Sequence, residues 1–480
     1  MTAPPLVVPT AYEAVLLALE HNRGVLAAKL QLEQAAAAEA TAHAALGWRL
    51  DAVPGYRFVD DTQPVIDRSD QFLLPVSQPY QAHTPHVTLS VRRSLFPGGS
   101  TRLDLDSAAR NRTLAQLEVE SALRSTALAA YEAYRRLEAA LLQHQVALAA
   151  RDLAGRRLNV AESQHREGSG TALAVAEARL ALQESESSAA SAGRMLDLAA
   201  KQLSQLLNLE QELRASDLPA PALDDVLQEI ASGSERYWPG ASPLESGLDQ
   251  LVTRAQESRV EVLKAQEHAA LARNELARVA VDNRPRLSAE LNYAWNEYTS
   301  AKVTLDDSGA LGLQATALQP YNHETGDAFS AEKDPSWNVS VQLVWNLWDS
   351  GVEALSRRRA EAAAALAENG LEQARSGVAL EVQQRHAELV TAREALLAAS
   401  ERARVALANY DLELEKARAG IGTEILLEAA KVQRDSAVAA AYAARVDYEL
   451  AILRLVDSAA LPLEELLSYV KTLSGGDSSE

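Results

Sequence analysis

Two hydrophobic periods alternate along the chain. Val382, Leu389, Leu396, Ala403 and Tyr410 recur every seven residues, and Ala392, Ala399 and Ala406 fall three residues after members of that series. The first half carries a related set, Leu123, Ala130 and Leu137 with Ala127, Tyr134, Leu141 and Leu148. A seam that sets large residues against small ones predicts long, closely approached helices that supercoil. Elsewhere the period is two. Leu287, Ala289, Leu291, Tyr293 and Trp295 alternate with Ser288, Glu290, Asn292 and Ala294. Likewise Val339, Val341, Leu343, Trp345 and Leu347 alternate with Asn338, Ser340, Gln342, Val344 and Asn346. Strands of about ten residues with one apolar and one polar face fit a membrane barrel wall, and the same alternation fits a half-buried soluble sheet.

The pattern is duplicated. Val87 to Gly99, ending Leu95-Phe96-Pro97-Gly98-Gly99, lies over Val339 to Gly351, ending Leu347-Trp348-Asp349-Ser350-Gly351, at an offset of 252. Arg166-Glu-Gly168-Ser-Gly170-Thr171 lies over Arg418-Ala-Gly420-Ile-Gly422-Thr423 at the same offset. A shared offset without a gap makes the intervening stretch one element in each half, and its alanine-rich, charged composition makes it helix. Earlier pieces match at a smaller offset: His21-Asn-Arg23 resembles Glu257-Ser-Arg259 near 236, and Tyr56 pairs with Tyr293 at 237. Two tandem repeats follow, about 1–230 and 231–480. Each reads helix of about 40 residues, strand, loop, strand, helix of about 67, glycine turn, helix of about 38 and a short amphipathic piece. The strand segments fall at about 48–98 and 285–350. A 67-residue helix is about 100 Å long, some three times the apolar thickness of a bilayer.

Composition narrows the classes. The chain has 480 residues, 47% hydrophobic but only 5% aromatic, which suits thin alanine-packed helices better than thick cores. No apolar run reaches the ~18 residues of a membrane helix, which leaves a membrane β-barrel open. The absence of cysteine removes disulfides and thiolate chemistry. A net charge of −20 argues against nucleic acid as a partner. Met1 to Thr10 lacks a basic region followed by an apolar one, so the expectation is a cytosolic protein or a form whose export signal has been removed. Five of six tryptophans, Trp48, Trp295, Trp337, Trp345 and Trp348, lie in or beside the strand segments with Tyr56 and Tyr293, as interfacial girdles require. Four strands cannot close a barrel, for which about eight are needed, so a barrel wall would be shared among subunits related by cyclic symmetry.

The two strand-to-helix passages and the two glycine turns, Gly168 followed by Ala178-Arg179 and Gly420 followed by Ala430, resemble the TolC-type outer-membrane efflux protein family over nearly the whole chain. The resemblance implies a mainly α fold with a small β part: a homotrimer whose twelve-stranded barrel, four strands per chain, continues as a long α-helical barrel across the periplasm. Asp60 to His86 and Asn296 to Pro335 would be extracellular loops. It implies a passive exit duct in the outer membrane of a Gram-negative-type bacterium, in contact with outer-membrane lipid. Its partners would be a periplasmic adaptor (membrane fusion) protein and, through it, an inner-membrane pump of RND, ABC or MFS class, exporting small molecules or polypeptides. No cofactor or metal is implied.

Carried onto this chain, adaptor docking falls to Arg166, Gly168, Gly170 and Thr171 on one hairpin and Arg418, Gly420, Gly422 and Thr423 on the other. The same residues also serve as turn formers and helix caps, since glycine permits the reversal and threonine caps the returning helix. An acidic constriction would use Glu424 and Glu428, which share a helical face, and solvated surface charge is the alternative reading. Where some relatives carry an aromatic latch before the turn, this chain has Lys416-Ala417. Glu290, Asn292, Asn296, Ser340, Gln342 and Asn346 would line the barrel lumen. The nine histidines are scattered and no nucleophile or phosphate-loop pattern stands out, so an enzyme is not expected. His83-Thr-Pro-His86 is a weak metal pair without a third ligand. The competing reading is a soluble coiled-coil scaffold or adaptor, which accounts for the heptads and acidity but not for the tryptophan-flanked strands.

Overall fold

The computed structural model describes residues 10–66, 75–95, 99–209, 213, 223, 226, 247–282, 284–296, 298–307, 309–319, 321–322, 334–345 and 348–474. They fall into two compact units, one of residues 1–32, 115–266 and 370–480 and one of 33–114 and 267–369. In chain order the described elements are α1 (Ala11–His21), α2 (Arg23–Ala44), β1 (Arg49–Ile66), β2 (Pro75–Ser94), α3 (Gly99–Arg166), α4 (Ala172–Leu206), α5 (Leu248–Ser258) and α6 (Val260–Asp282). The second half continues with β3 (Arg286–Ala294), β4 (Thr299–Leu305), β5 (Ala310–Leu318), β6 (Tyr321–Asn322), β7 (Ser336–Val344), α7 (Val352–Arg418), α8 (Glu424–Ser458) and α9 (Leu463–Leu473).

The duplicated helices match in length. α3 and α7 have 68 and 67 residues, and α4 and α8 have 35 each. The expected first helix of about 40 residues is instead broken in both halves, at Asn22 (ψ 130°) and Arg259 (ψ 140°), 237 positions apart. At the first break the Asn22 side chain takes over the helix ends: its Oδ1 accepts from Gly24 N at 2.8 Å, and its Nδ2 donates to Leu206 O at 3.0 Å. At the second, Arg259 is pinned by Glu381 (2.6 Å) and Glu261 (2.9 Å). The return helices also end alike, with Asn208 (φ 51°) and Ala460 (φ 56°) in left-handed conformation at an offset of 252. Of the expected amphipathic piece Leu223–Leu227 only Leu223 and Val226 are described; its counterpart is helix α9.

The helical unit buries the predicted seam. Val382, Leu389, Leu396 and Ala403 are buried, as are Ala127, Ala130, Tyr134, Leu137 and Leu141. Beside the seam lies a buried polar cluster centred on Arg135, which binds Glu449 (3.2 Å), Glu138 (3.0 Å) and Leu473 O (2.6 Å). Tyr131 and Tyr442 complete it, donating to Glu449 (2.8 Å) and Glu138 (2.7 Å). No described helix is long and apolar enough to cross a membrane.

Among the described residues the other unit holds one antiparallel sheet of seven strands in the order β1-β2-β5-β4-β3-β7, with the short β6 beside β2. The expected four strands are therefore corrected. Asn296 to Pro335 is not simply a loop, because β4, β5 and β6 lie within it, and β4 and β5 are inserted between β2 and β3. The physical reason is a second period-two run, in which Ala301, Val303 and Leu305 alternate with Ser300, Lys302 and Thr304. Nor is Asp60 to His86 open throughout, since β1 and β2 stay paired out to Ile66 opposite Pro75.

Candidate functional site

The sheet has two chemically distinct faces. Ladder partners share a face, so Glu290 opposite Ser340 and Ser288 opposite Gln342 put the expected lumen residues Glu290, Ser340 and Gln342 together, with Asn292 opposite Asn338 beside them. Pairing of β3 with β4 and of β4 with β5 adds residues not foreseen for this face, Lys302 next to Asn292 and Gln314 next to Lys302. Charges on it are largely compensated: Lys302 meets Glu290 at 2.7 Å, Arg49 meets Asp51 at 2.9 Å, and Arg92 meets Asp306 at 2.9 Å. Asn296 is placed differently from expectation. It sits in the β3–β4 turn, where its Oδ1 accepts from Tyr298 N and Thr299 N, both at 2.8 Å, so it shapes the turn instead of lining the wall. Asn346 lies outside the described residues.

The opposite face is apolar and exposed, with Leu50, Leu89, Leu291, Leu313, Val339 and Val341 all open. Aromatic residues mark both ends of it. Trp337 stands opposite Tyr293, which packs edge-on to Trp295 at 5.0 Å, at one end of the β3–β7 ladder. Trp345 follows the other end of that ladder and Trp348 lies just beyond it; Trp48 precedes β1 at the matching end of the β1–β2 ladder, with the Arg93 guanidinium 5.1 Å above its ring. Tyr56 and Phe58 lie toward the first end of β1, and all of these aromatics are exposed. Eight residue steps separate the ends of the β3–β7 ladder, about 26 Å along the strand, comparable with the ~25 Å apolar band of a membrane barrel. His83 and His86 fall on opposite faces of β2, one bonded to the Tyr56 hydroxyl and one opposite Gly55, so they cannot grip one metal ion between them.

The helix-hairpin turns have their own geometry. Gly168 (φ 76°) and Gly420 (φ 73°) reverse the chain in left-handed conformation. Gly170 and Gly422 follow so tightly that a Cβ would sit 3.0 Å from the backbone N of His165 or Ala417. Backbone geometry alone therefore accounts for all four glycines. Thr171 caps α4, accepting from Ala174 N at 3.1 Å, whereas Thr423 holds the capping position of α8 without a side-chain cap bond. Arg166 and Arg418 are exposed, Arg166 also donating to Glu162 O at 3.3 Å. Glu424 is exposed in the first turn of α8, while Glu428 is ion-paired with Arg156 of α3. Lys416 pairs with Glu413 at 2.7 Å. Ile421, not among the expected docking residues, is 82% exposed between Gly420 and Gly422; its only mark in the sequence is an apolar side chain where the first half has Ser169.

Comparison with known proteins yields no matching family model and no matching curated protein. Solved structures do match. The CmeC outer membrane channel of Campylobacter jejuni aligns over 98% of this chain and 90% of its own, with TM-score 0.64 and 14% identity. The outer membrane protein VceC of Vibrio cholerae aligns over 94% and 96%, with TM-score 0.59 and 14% identity. The open state of the Neisseria gonorrhoeae MtrE outer membrane channel aligns over 98% and 89%, with TM-score 0.56 and 16% identity. The chain therefore has the fold of these outer membrane channels.

Proposed function

We propose that the chain is the outer-membrane exit duct of a tripartite efflux or type I secretion system, a passive channel and not an enzyme. One observation carries this reading: a sheet whose apolar face is left exposed between two aromatic levels, in a chain whose described helices cannot cross a membrane. Such a face is stable against lipid, and its polar counterpart against water. The likeness of fold to outer membrane channels supports it independently.

Among the described residues β1 pairs only with β2, and β7 only with β3. In the antiparallel order β1-β2-β5-β4-β3-β7 the outer two strands run in opposite directions, so β7 of one copy and β1 of the next meet as an antiparallel pair, and a ring of copies leaves no edge. Three copies form the ring. The helical unit serves the periplasmic part, and its turns receive the adaptor through Arg166, Gly168, Gly170 and Thr171 and through Arg418, Gly420, Gly422 and Thr423, with Ile421 as an apolar contact. Glycine there fixes the turn, and the exposed arginines supply donors. Glu424 is the freer acid of a charged ring at the closed end; Glu428 contributes only when its pair with Arg156 opens. An inner-membrane pump selects the cargo through the adaptor.

Fractionation of the producing cell tests the reading. The expected result is a protein that co-sediments with outer membrane, requires detergent for extraction and has three chains by native mass spectrometry. Release into the soluble fraction on lysis would identify a coiled-coil scaffold instead.

A further inference from the structure

We propose that each chain supplies six strands to the barrel wall, the β4–β5 hairpin being two full staves, so that three chains close an eighteen-stranded barrel. This rests on the exit-duct reading above and concerns what that duct is built from.

The hairpin is hydrogen-bonded into the wall on both sides. β5 pairs with β2 over His86–Ser94, and β4 pairs with β3 over Ala289–Ala294. β2 and β3 do not pair with each other among the described residues, so the hairpin is the connection between the two halves of the sheet. It also crosses the height of the wall. Its tight turn lies where β2 ends, with Leu95 N donating to Gly309 O at 2.7 Å. That turn is built for the place: Gly309 has φ 75°, Asp306 Oδ1 accepts from Ala310 N at 3.0 Å, and Arg92 of β2 pairs with Asp306 at 2.9 Å.

The decisive feature is phase. Following partners across the sheet, Leu50, Val91, Leu313, Val303, Leu291 and Val339 form one apolar row through all six strands. The adjacent row is Asp51, Ser90, Gln314, Lys302, Asn292 and Asn338, polar throughout. A one-residue slip of the hairpin would put Leu313 and Val303 on the wet face. Leu313 and Leu305 are exposed within the chain, as Leu291 and Val339 are. The hairpin thus presents the same unpartnered apolar face as the strands beside it, and the occupant that suits that continuous face is lipid.

Barrel diameter grows roughly in proportion to strand number, so eighteen strands give a backbone cylinder about 36 Å across where twelve give about 24 Å. The wall then resembles in strand number the porins that hold an aqueous channel.

Because the protein has no cysteine, single thiols report each face without background. In the full-length protein, reconstituted in lipid bilayers, Leu313→Cys and Gln314→Cys are treated with a membrane-impermeant maleimide, with Leu291→Cys on β3 as the reference for the wall. The expected result is labelling at 314 and its loss at 313 and 291. Labelling at 313 with 291 still protected would overturn the six-strand wall and leave the duct intact. Labelling at 291 and 313 alike would overturn both. A direct strand count by electron cryomicroscopy of the same sample guards against a variant that does not assemble: six wall strands per chain support the proposal, and four overturn it. A dimeric twelve-stranded ring of six-strand chains would overturn the eighteen-stranded count.

Discussion

Replacing Arg135 by Met tests whether the buried polar cluster holds the helical unit together. Its side chain is 11% accessible, and the guanidinium bridges three helices, binding Glu138 on α3, Glu449 on α8 and the last carbonyl of α9, Leu473 O. Burial opposes its charge, but the carboxylate of Glu449 and the neighbouring Tyr131, Tyr442 and Glu138 more than offset this, and its pKa lies well above the ordinary value. Without Arg135, Glu138 (11% accessible) keeps the Tyr442 hydroxyl, and Glu449 (2% accessible) keeps Tyr131 and Arg445. Breaking a buried pair on one side costs about 3–5 kcal/mol, far above the ~0–1 kcal/mol of an exposed pair. Arg135→Lys keeps the charge but not the fork and is expected to lose about half as much. The assay is guanidinium unfolding of the detergent-extracted protein followed by helical circular dichroism, with proteolysis reporting release of α9. Adding Glu449→Gln to Arg135→Met removes the carboxylate that loses this partner, so the double variant is expected to be less damaged than the sum of the singles by about 1–3 kcal/mol. A loss below about 1 kcal/mol for Arg135→Met, or strict additivity in the double variant, would refute the cluster as a stabilising unit.

Two further outcomes follow from local geometry. Ala460 holds φ 56° at the end of α8, so Ala460→Gly is expected to stabilise the protein by about 1 kcal/mol, and a lower thermal midpoint would contradict the strain argument. Hydrogen bonds from Asn274 and from Arg110 hold Asp106 below its ordinary value of 3.8. A lowered folded pKa gives stability that is complete above the unfolded value and disappears as pH falls through the folded one. Thermal unfolding should therefore weaken more steeply below pH 3.8 in the native protein than in Asp106→Asn, and parallel curves would contradict the assignment.

The long helices were legible because the seam in sevens and two glycine turns mark their course and ends, and α3 and α7 match the expected length within a residue. The breaks at Asn22 and Arg259 were not, because neither carries proline or glycine and both are held by partners distant in sequence, Leu206 and Glu381. The β4–β5 hairpin was hidden for two reasons. Its strands are short and partly alanine, with Ala301, Ala315 and Ala317 on the apolar face, and among the described residues the first half has no counterpart to it. One trace was present in the chain: the repeat offset rises from 237 at Tyr293 to 252 at Val339, so the second half has fifteen more residues between its outer strands. Asn296 continued the strand alternation on paper, but its side chain is taken by the backbone of the turn. The Arg156–Glu428 pair joins residues far apart in sequence, which no local pattern reveals.

In the proposed duct the apolar face of the sheet meets lipid between two aromatic levels. Tryptophan fluorescence in bilayers of brominated lipids measures this directly, with bromines placed either near the headgroups or at the bilayer centre. Trp48, Trp295, Trp337, Trp345 and Trp348 are exposed at the ends of the sheet, so quenching is expected with both lipids and to be stronger with shallow bromines. Emission unchanged by either lipid would contradict the account.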